Sequence, residues 1–294
     1  MERDDFLKNK LLILGGDLRI VYLANMLVED NYCVGTYGME EAQSLIDFSK
    51  INVYDNLENA INNSEIIISS IPLSQDGENV FCKYTDRQIS IETLNKLLSG
   101  KIFIAGKVPN VLKLNNEIQI YDILENEEYA VLNAIATAEG AIQIAMEETL
   151  KTLNGSKILI MGFGRIGKIL AKMLQGIGAK VYCEARKKSD LAYIEAYGYE
   201  PIDLKNLDKH LEQFDIIFNN IPTLILDKPK IDLLKADALI IDLASKPGGV
   251  DFEYAKQKNI KTIWALALPG KVAPISAANY IKNVVTNILN NERN

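Results

Sequence analysis

Histidine and cysteine are scarce in this sequence. Its 294 residues contain one histidine, His210, and three cysteines, Cys33, Cys82 and Cys183. Cysteines so far apart and odd in number form neither a disulfide framework nor a zinc-ligand spacing, which points to a reducing, cytoplasmic setting. His210 lies among charges in Asn206-Leu-Asp-Lys-His-Leu-Glu-Gln213 and is expected on a solvated surface. One histidine leaves little room for imidazole zinc sites, Ser-His-Asp triads or Cys-His dyads, so no metal centre is expected. No uncharged apolar run approaches the ~18 residues that a membrane-spanning helix needs. The charged start Met1-Glu-Arg-Asp-Asp-Phe-Leu7 lacks the apolar core of a secretory leader. Basic residues are few as well: 32 Lys and Arg against 39 Asp and Glu leave a net charge of −7 without a basic stripe. Neither nucleic acid nor a membrane is therefore an expected partner.

What the chain does have is a soluble, globular balance, with 48% hydrophobic and 24% charged residues, which excludes a disordered or fibrous chain. The length suits about two domains. The second half is the clearer. Lys157-Ile-Leu-Ile-Met161 reads as a buried strand, followed by Gly162-Phe-Gly-Arg-Ile-Gly167 and a helical pattern that stops near Gly176 and Gly178. Strands are expected at Lys180–Glu184, Phe214–Asn219, Ala238–Leu243 and Ile260–Ala265. The first half looks like a looser copy. Lys10–Gly16 enters a glycine turn, a helix follows from Leu18 to Val28, and buried strands lie at Glu65–Ser69 and Lys101–Ala105. The expectation is an α/β protein of two doubly wound, Rossmann-like parallel-sheet domains. Residues 1–128 form the first, the substrate domain, and residues 155–272 form the nucleotide-binding domain. A long helix over 129–154 joins them. On it, Val131, Ile135, Ala138, Ile142, Met146 and Leu150 share one face. A C-terminal helix within 273–294 crosses back to the first domain.

Gly162, Gly164 and Gly167 form G-x-G-x-x-G between a strand and a helix, the context in which this pattern binds a dinucleotide. Gly162 permits the turn, Gly164 lets the pyrophosphate approach backbone N–H groups, and Gly167 lets helix and strand close up. Arg165 and Ile166 belong to the same loop. The next strand ends in Glu184-Ala-Arg-Lys-Lys-Ser189. An acid here would bond a ribose 2′-hydroxyl and suit NAD, whereas Arg186, Lys187 and Ser189 would surround the 2′-phosphate of NADP. NADP is the favoured reading, with NAD the lesser. Asn220, Ile221 and Pro222 after the fourth strand, Leu243 and Ala244 after the fifth, and Leu268 and Pro269 after the sixth are placed to border the nicotinamide.

In the first domain, Gly15-Gly-Asp-Leu-Arg19, Ser69-Ser-Ile-Pro-Leu-Ser-Gln-Asp-Gly77 and Gly106-Lys107 all lie at strand ends, where they could line a cleft. Arg19 and Lys107 are candidate anchors for an anionic substrate, with Arg87 and Arg165 next, and Ser74 is a further contact. Asp17, Asp76 and Lys107 are candidate acid–base groups.

These residues carry a resemblance. Gly15–Arg19, Asn133-Ala-Ile-Ala-Thr-Ala-Glu-Gly140, Gly162–Gly167, Asp242-Leu-Ala-Ser-Lys-Pro-Gly-Gly249 and Leu268-Pro-Gly-Lys-Val-Ala-Pro274 resemble the dipicolinate synthase A-subunit family. The resemblance runs over nearly the full length. It implies NADP-linked oxidation of a small dicarboxylate, a dihydro- or hydroxytetrahydrodipicolinate from the lysine branch. The product would be dipicolinate, the calcium chelator of bacterial endospores. It also implies that the partner is a flavoprotein-like B subunit, that the chain forms a homo- or hetero-oligomer, and that it works in the cytoplasm of a mother cell during sporulation. In the linking-helix motif, Thr137 becomes a candidate substrate contact and Glu139 a candidate proton acceptor. Ala134, Ala136, Ala267 and Ser276 stand where that family usually has Ser, Pro, Gly and Thr. A two-domain 2-hydroxy acid or shikimate-type dehydrogenase, a nucleotide-sensing subunit without turnover and a structural relic with an empty cleft are the rival readings. The last loop lacks the histidine base that hydroxy acid dehydrogenases use there.

Overall fold

The computed structural model describes residues 10–47 and 49–292, so the charged N-terminal stretch and residues 293–294 lie outside it. The chain divides into two compact units, residues 1–130 with 273–294 and residues 131–272.

The first unit is built on six parallel strands: β1 (Lys10–Leu14), β2 (Cys33–Tyr37), β3 (Asn52–Val53), β4 (Ile66–Ser69), β5 (Ile102–Ala105) and β6 (Gln119–Asp122). Their order is β3-β2-β1-β4-β5-β6. The central strands are continuous apolar runs because helices and loops cover both faces of the sheet. Leu11 and Ile13 belong to one face's core and Leu12 and Leu14 to the other. The helix Leu18–Glu29 starts at Asp17, whose side chain accepts the Arg19 N–H. The C-terminal helix Pro274–Asn291 buries Ala278, Ile281, Val285 and Leu289 in the same core as Ile20, Leu23 and Leu27. The return of the last helix to the first sheet is therefore a matter of apolar burial.

The second unit repeats the winding. Its strands are β7 (Lys157–Met161), β8 (Lys180–Ala185), β9 (Glu200–Asp203), β10 (Ile216–Asn219), β11 (Leu239–Asp242) and β12 (Lys261–Trp264). Their order is β12-β11-β10-β7-β8-β9, so the winding reverses between β7 and β10 as it does between β1 and β4. Both units are Rossmann-like, as expected.

The helix at the start of the second unit departs from the expectation. It runs Glu127–Glu148 and does not reach Asn154. Val131 and Met146 are exposed, and Leu150 lies beyond the helix, fully exposed. The buried face is made of small residues instead: Ala134, Ala138, Ala141 and Ala145, with Ile142 beside them. Small side chains suit a close neighbour. A Cβ at Gly140 would lie 3.1 Å from both Leu268 and Val272, so the short helix Leu268–Val272 packs directly onto this face.

Candidate cofactor and substrate sites

Parallel pairing in the second unit brings the ends of five strands to one level. Met161 pairs with Glu184 on one side and Asn219 on the other, Asn219 with Asp242, and Asp242 with Trp264. The loops that follow leave from a single edge, flanking the reversal at β7 and β10, where open α/β sheets bind ligands.

The glycine loop has the geometry that its sequence promises. Gly162 has φ +88°, a left-handed conformation that suits glycine. A Cβ at Gly167 would fall 2.1 Å from the Gly162 carbonyl oxygen, so helix and strand touch at backbone distance. A Cβ at Gly164 would meet nothing within 4 Å. Gly164 caps the helix Arg165–Ile177 with no side-chain hydrogen bond, which leaves the first-turn N–H groups facing that open space. Ile221 lies over the turn, 2.9 Å from a Cβ built on Gly162. Arg165 is exposed at the helix start, and Ile166 is half-buried. These features fit a dinucleotide pyrophosphate.

The end of β8 resolves the opposing charges of the sequence. Glu184 is fully buried, and its Oε2 accepts the Gly162 N–H at 3.2 Å. Burial pushes its carboxyl above the ordinary value. It is turned under the glycine loop, whereas Arg186, Lys187 and Ser189 are all exposed at the strand's exit.

Two residues missed in the sequence organise the remaining loops. Asn219 and Asp242 are fully buried polar residues that end β10 and β11. The Asn219 amide donates to Asp242 Oδ1 at 2.8 Å and to the Ile221 carbonyl at 3.0 Å. Asp242 also accepts the Ala244 N–H at 2.9 Å and the Gly249 N–H at 2.8 Å. Trp264 Nε1 closes the set by donating to the Ala244 carbonyl at 2.9 Å. A polar residue ending an otherwise apolar strand was the available signal. Of the expected border residues, Asn220 has a buried Oδ1 without a partner among the described residues, and Pro222 is exposed. Leu243 and Ala244 are buried in the pinned loop. Leu268 and Pro269 are buried too, with Leu268 in the core against Gly140.

The first unit's glycine turn is closed. Gly15 and Gly16 have φ +60° and +108°, but a Cβ on Gly15 would lie 2.3 Å from Cys82 Sγ. Gly16 exchanges hydrogen bonds with the Phe81 carbonyl and the Lys83 N–H.

Arg19 is paired within the first unit. Its guanidinium is nearly buried and donates to both Asp17 oxygens at 2.8–3.2 Å and to the Ile71 carbonyl. Its charge is thus matched by Asp17, which is likewise engaged. Asp76 accepts the Glu78 and Asn79 N–H groups and the Ser74 hydroxyl in an exposed turn. Those bonds hold its carboxyl far below the usual range, and Ser74 is part of the same turn. Arg87 donates to the Asp55 carbonyl and lies over the Tyr37 ring. Thr137 bonds back to the Asn133 carbonyl, and Glu139 is exposed. His210 is half-buried, 3.4 Å from the Gln213 amide. Lys107 differs from all of these: it is exposed, follows the end of β5, and makes no ion pair among the described residues.

The comparisons agree with this division. Residues 10–124 match the family of the N-terminal domain of the dipicolinate synthase A-subunit. Over 289 residues the chain is 29% identical to the dipicolinate synthase A-subunit of Bacillus subtilis, covering 95% of each. Over nearly its whole length the chain is similar to dipicolinate synthase A-subunits. A solved structure of the dipicolinate synthase A-subunit from Bacillus halodurans superposes with a TM-score of 0.87 at 28% identity, covering 96% of this chain and 98% of that one. Residues 132–247 match the NAD-binding domain of D-isomer specific 2-hydroxyacid dehydrogenases. These matches support a nicotinamide-dependent oxidoreductase. A transhydrogenase from Sinorhizobium meliloti, 16% identical with a TM-score of 0.68, shares the fold. Among the described residues no helix is long and apolar enough to cross a membrane.

Proposed function

We propose that this chain is an NADP-dependent dehydrogenase that oxidises a dihydrodipicolinate-type ring of the lysine branch to pyridine-2,6-dicarboxylate. It works in the mother-cell cytoplasm of a sporulating bacterium, alongside a flavoprotein-like B subunit. The observation that carries the cofactor choice is the exit of β8. Glu184 is buried against the Gly162 N–H, and Arg186, Lys187, Lys188 and Ser189 are exposed there. A 2′-phosphate gains charge-assisted hydrogen bonds from such a set, and no exposed carboxylate opposes it. The pyrophosphate lies at Gly164 on the N–H groups of the helix start, bordered by Arg165 and Ile166. Asn220, Ile221, Leu243 and Ala244 border the nicotinamide ring, which accepts a hydride when the cofactor is bound.

Lys107 takes a substrate carboxylate. Oxidation to the aromatic ring releases one hydride and one proton, and Glu139, an exposed carboxylate, is the proposed acceptor of the proton. Aromatisation of the product lessens the need for a strong base, which fits a chain whose one histidine is paired with Gln213 in the β9–β10 connection. The match to a hydroxyacid dehydrogenase NAD-binding domain favours a second reading, oxidation of a 2-hydroxy acid. Cofactor titration tests the first part of the proposal. Arg186→Ala should weaken NADP by about 1.5–3 kcal/mol and leave NAD nearly unchanged. Equal losses for both cofactors would overturn the NADP assignment.

A further inference from the structure

We propose that Asp122 is the positioning residue for Lys107, an inference that rests on the reading of Lys107 as a carboxylate anchor. Lys107 has φ +52°, a left-handed conformation that side chains other than glycine adopt at a cost. Such strain persists only where the surroundings impose it, and it concentrates at working sites.

Asp122 imposes it here. It ends β6, pairs with Ala105 at the end of β5, and has a side chain only 4% exposed. Its Oδ1 accepts the Lys107 N–H at 2.9 Å and its Oδ2 the Val108 N–H at 2.8 Å. One carboxylate thus clamps two successive amides, which fixes the turn between them. The clamp is itself held from two sides. Oδ1 accepts the Leu124 N–H at 3.1 Å, and Lys113 Nζ lies 3.1 Å from Oδ2. Just before Lys107, a Cβ on Gly106 would be 2.5 Å from Ile71, so the turn cannot retreat towards β4. The Lys107 ammonium is left as the exposed part of an otherwise immobilised turn. A cation held this way meets a carboxylate without first losing backbone freedom.

The test compares Asp122→Asn with Lys107→Met, using dipicolinate as product inhibitor. NADP titration and thermal melting serve as folding controls. Asparagine keeps one acceptor and turns an NH2 towards the other amide. Asp122→Asn should raise KM and the dipicolinate inhibition constant about fivefold or more with kcat within about twofold, and NADP affinity should hold. Exchange of the Lys107 and Val108 amides should quicken. If Lys107→Met weakens inhibition and Asp122→Asn does not, the positioning role is wrong and the reading of Lys107 stands. If Lys107→Met leaves inhibition unchanged, that reading fails and the role of Asp122 falls with it. If Asp122→Asn does not fold, Lys107→Gly decides. It should melt above the parent because glycine accepts the turn without strain, and it should bind dipicolinate as poorly as Lys107→Met. A lower melting temperature would overturn the clamp.

Discussion

The Asn219 amide donates to the Asp242 carboxylate at 2.8 Å, and this buried pair ties the loops after β10 and β11 into one platform. Asn219 holds the loop after β10 through Ile221, and Asp242 holds Ala244 and Gly249 after β11. Trp264, at the end of β12, closes the platform through the Ala244 carbonyl. Side chains proposed to contact the cofactor thus depend on two residues buried beneath them.

Asp242→Ala should be severe. It leaves the Asn219 amide and the Ala244 and Gly249 N–H groups without their acceptor, and each buried donor left unpaired costs about 1–3 kcal/mol. Denaturant unfolding should show a loss of at least about 3 kcal/mol, with weaker NADP binding in whatever remains folded. A loss below about 1 kcal/mol would mean that water replaces the carboxylate at no cost.

Gly164 and Gly167 should separate binding from folding. Gly164→Val adds side-chain atoms to open space, so melting should be preserved while NADP binding is lost. Gly167→Val drives a Cβ to within 2.1 Å of a backbone oxygen, so the fold itself should fail. Calorimetric titration and melting of both variants distinguish the two; unchanged NADP affinity in Gly164→Val would place the pyrophosphate elsewhere.

Much of this was legible in the sequence, and the gaps have physical causes. β1, β4, β5, β7, β10 and β11 are apolar runs because both faces of the sheet are covered there, whereas β12, at the sheet edge, has Lys261 and Thr262 beside half-buried Ile263 and Trp264. The edge strands β3, β6 and β9 carry Asn52, Gln119 and Glu200 and lack that signature. The long helix was misread because its true contact face is alanine, which registers weakly in a hydrophobic pattern, whereas Val131, Met146 and Leu150 mimic a stripe and lie in solvent. Asp17 and Arg19 were legible as charges at a strand end, but their mutual pairing, two residues apart, was not. Asn219 and Asp242 show in the sequence only as polar residues ending apolar strands, and Asp122 gives no such signal, because all three act by accepting or donating beneath the surface.

Ala267 illustrates a departure that the structure explains. It has φ +58°, a left-handed conformation that glycine adopts without strain. Left-handed alanine costs roughly 1–2 kcal/mol, while glycine adds about 0.5–1 kcal/mol of chain entropy to be lost on folding. Ala267→Gly should therefore stabilise the second unit by up to about 1 kcal/mol, readable as a higher unfolding midpoint. A destabilised variant would contradict the strain.

Glu184 should make stability fall as pH rises. Its carboxyl is pushed up by burial from an ordinary value of 4.5, with the Gly162 N–H and Arg186 opposing. The stability tied to its neutral form is fully present below that value and is lost as pH climbs through the raised folded value. Glu184→Gln keeps an acceptor for Gly162 and cannot ionise. The variant should melt like the parent near pH 4.5 and above it at neutral pH. Parallel profiles across that range would show that Glu184 ionises in the fold without penalty.

The central claim is the reaction. The most direct measurement follows NADPH absorbance and dipicolinate formation together, with freshly prepared dihydrodipicolinate-type substrate, for the parent chain and for Lys107→Met and Gly164→Val. The account predicts equal amounts of NADPH and dipicolinate from the parent, little of either from Gly164→Val, and a raised KM in Lys107→Met. Dipicolinate formed at the same rate without NADP, or NADP reduction by 2-hydroxy acids alone, would contradict it.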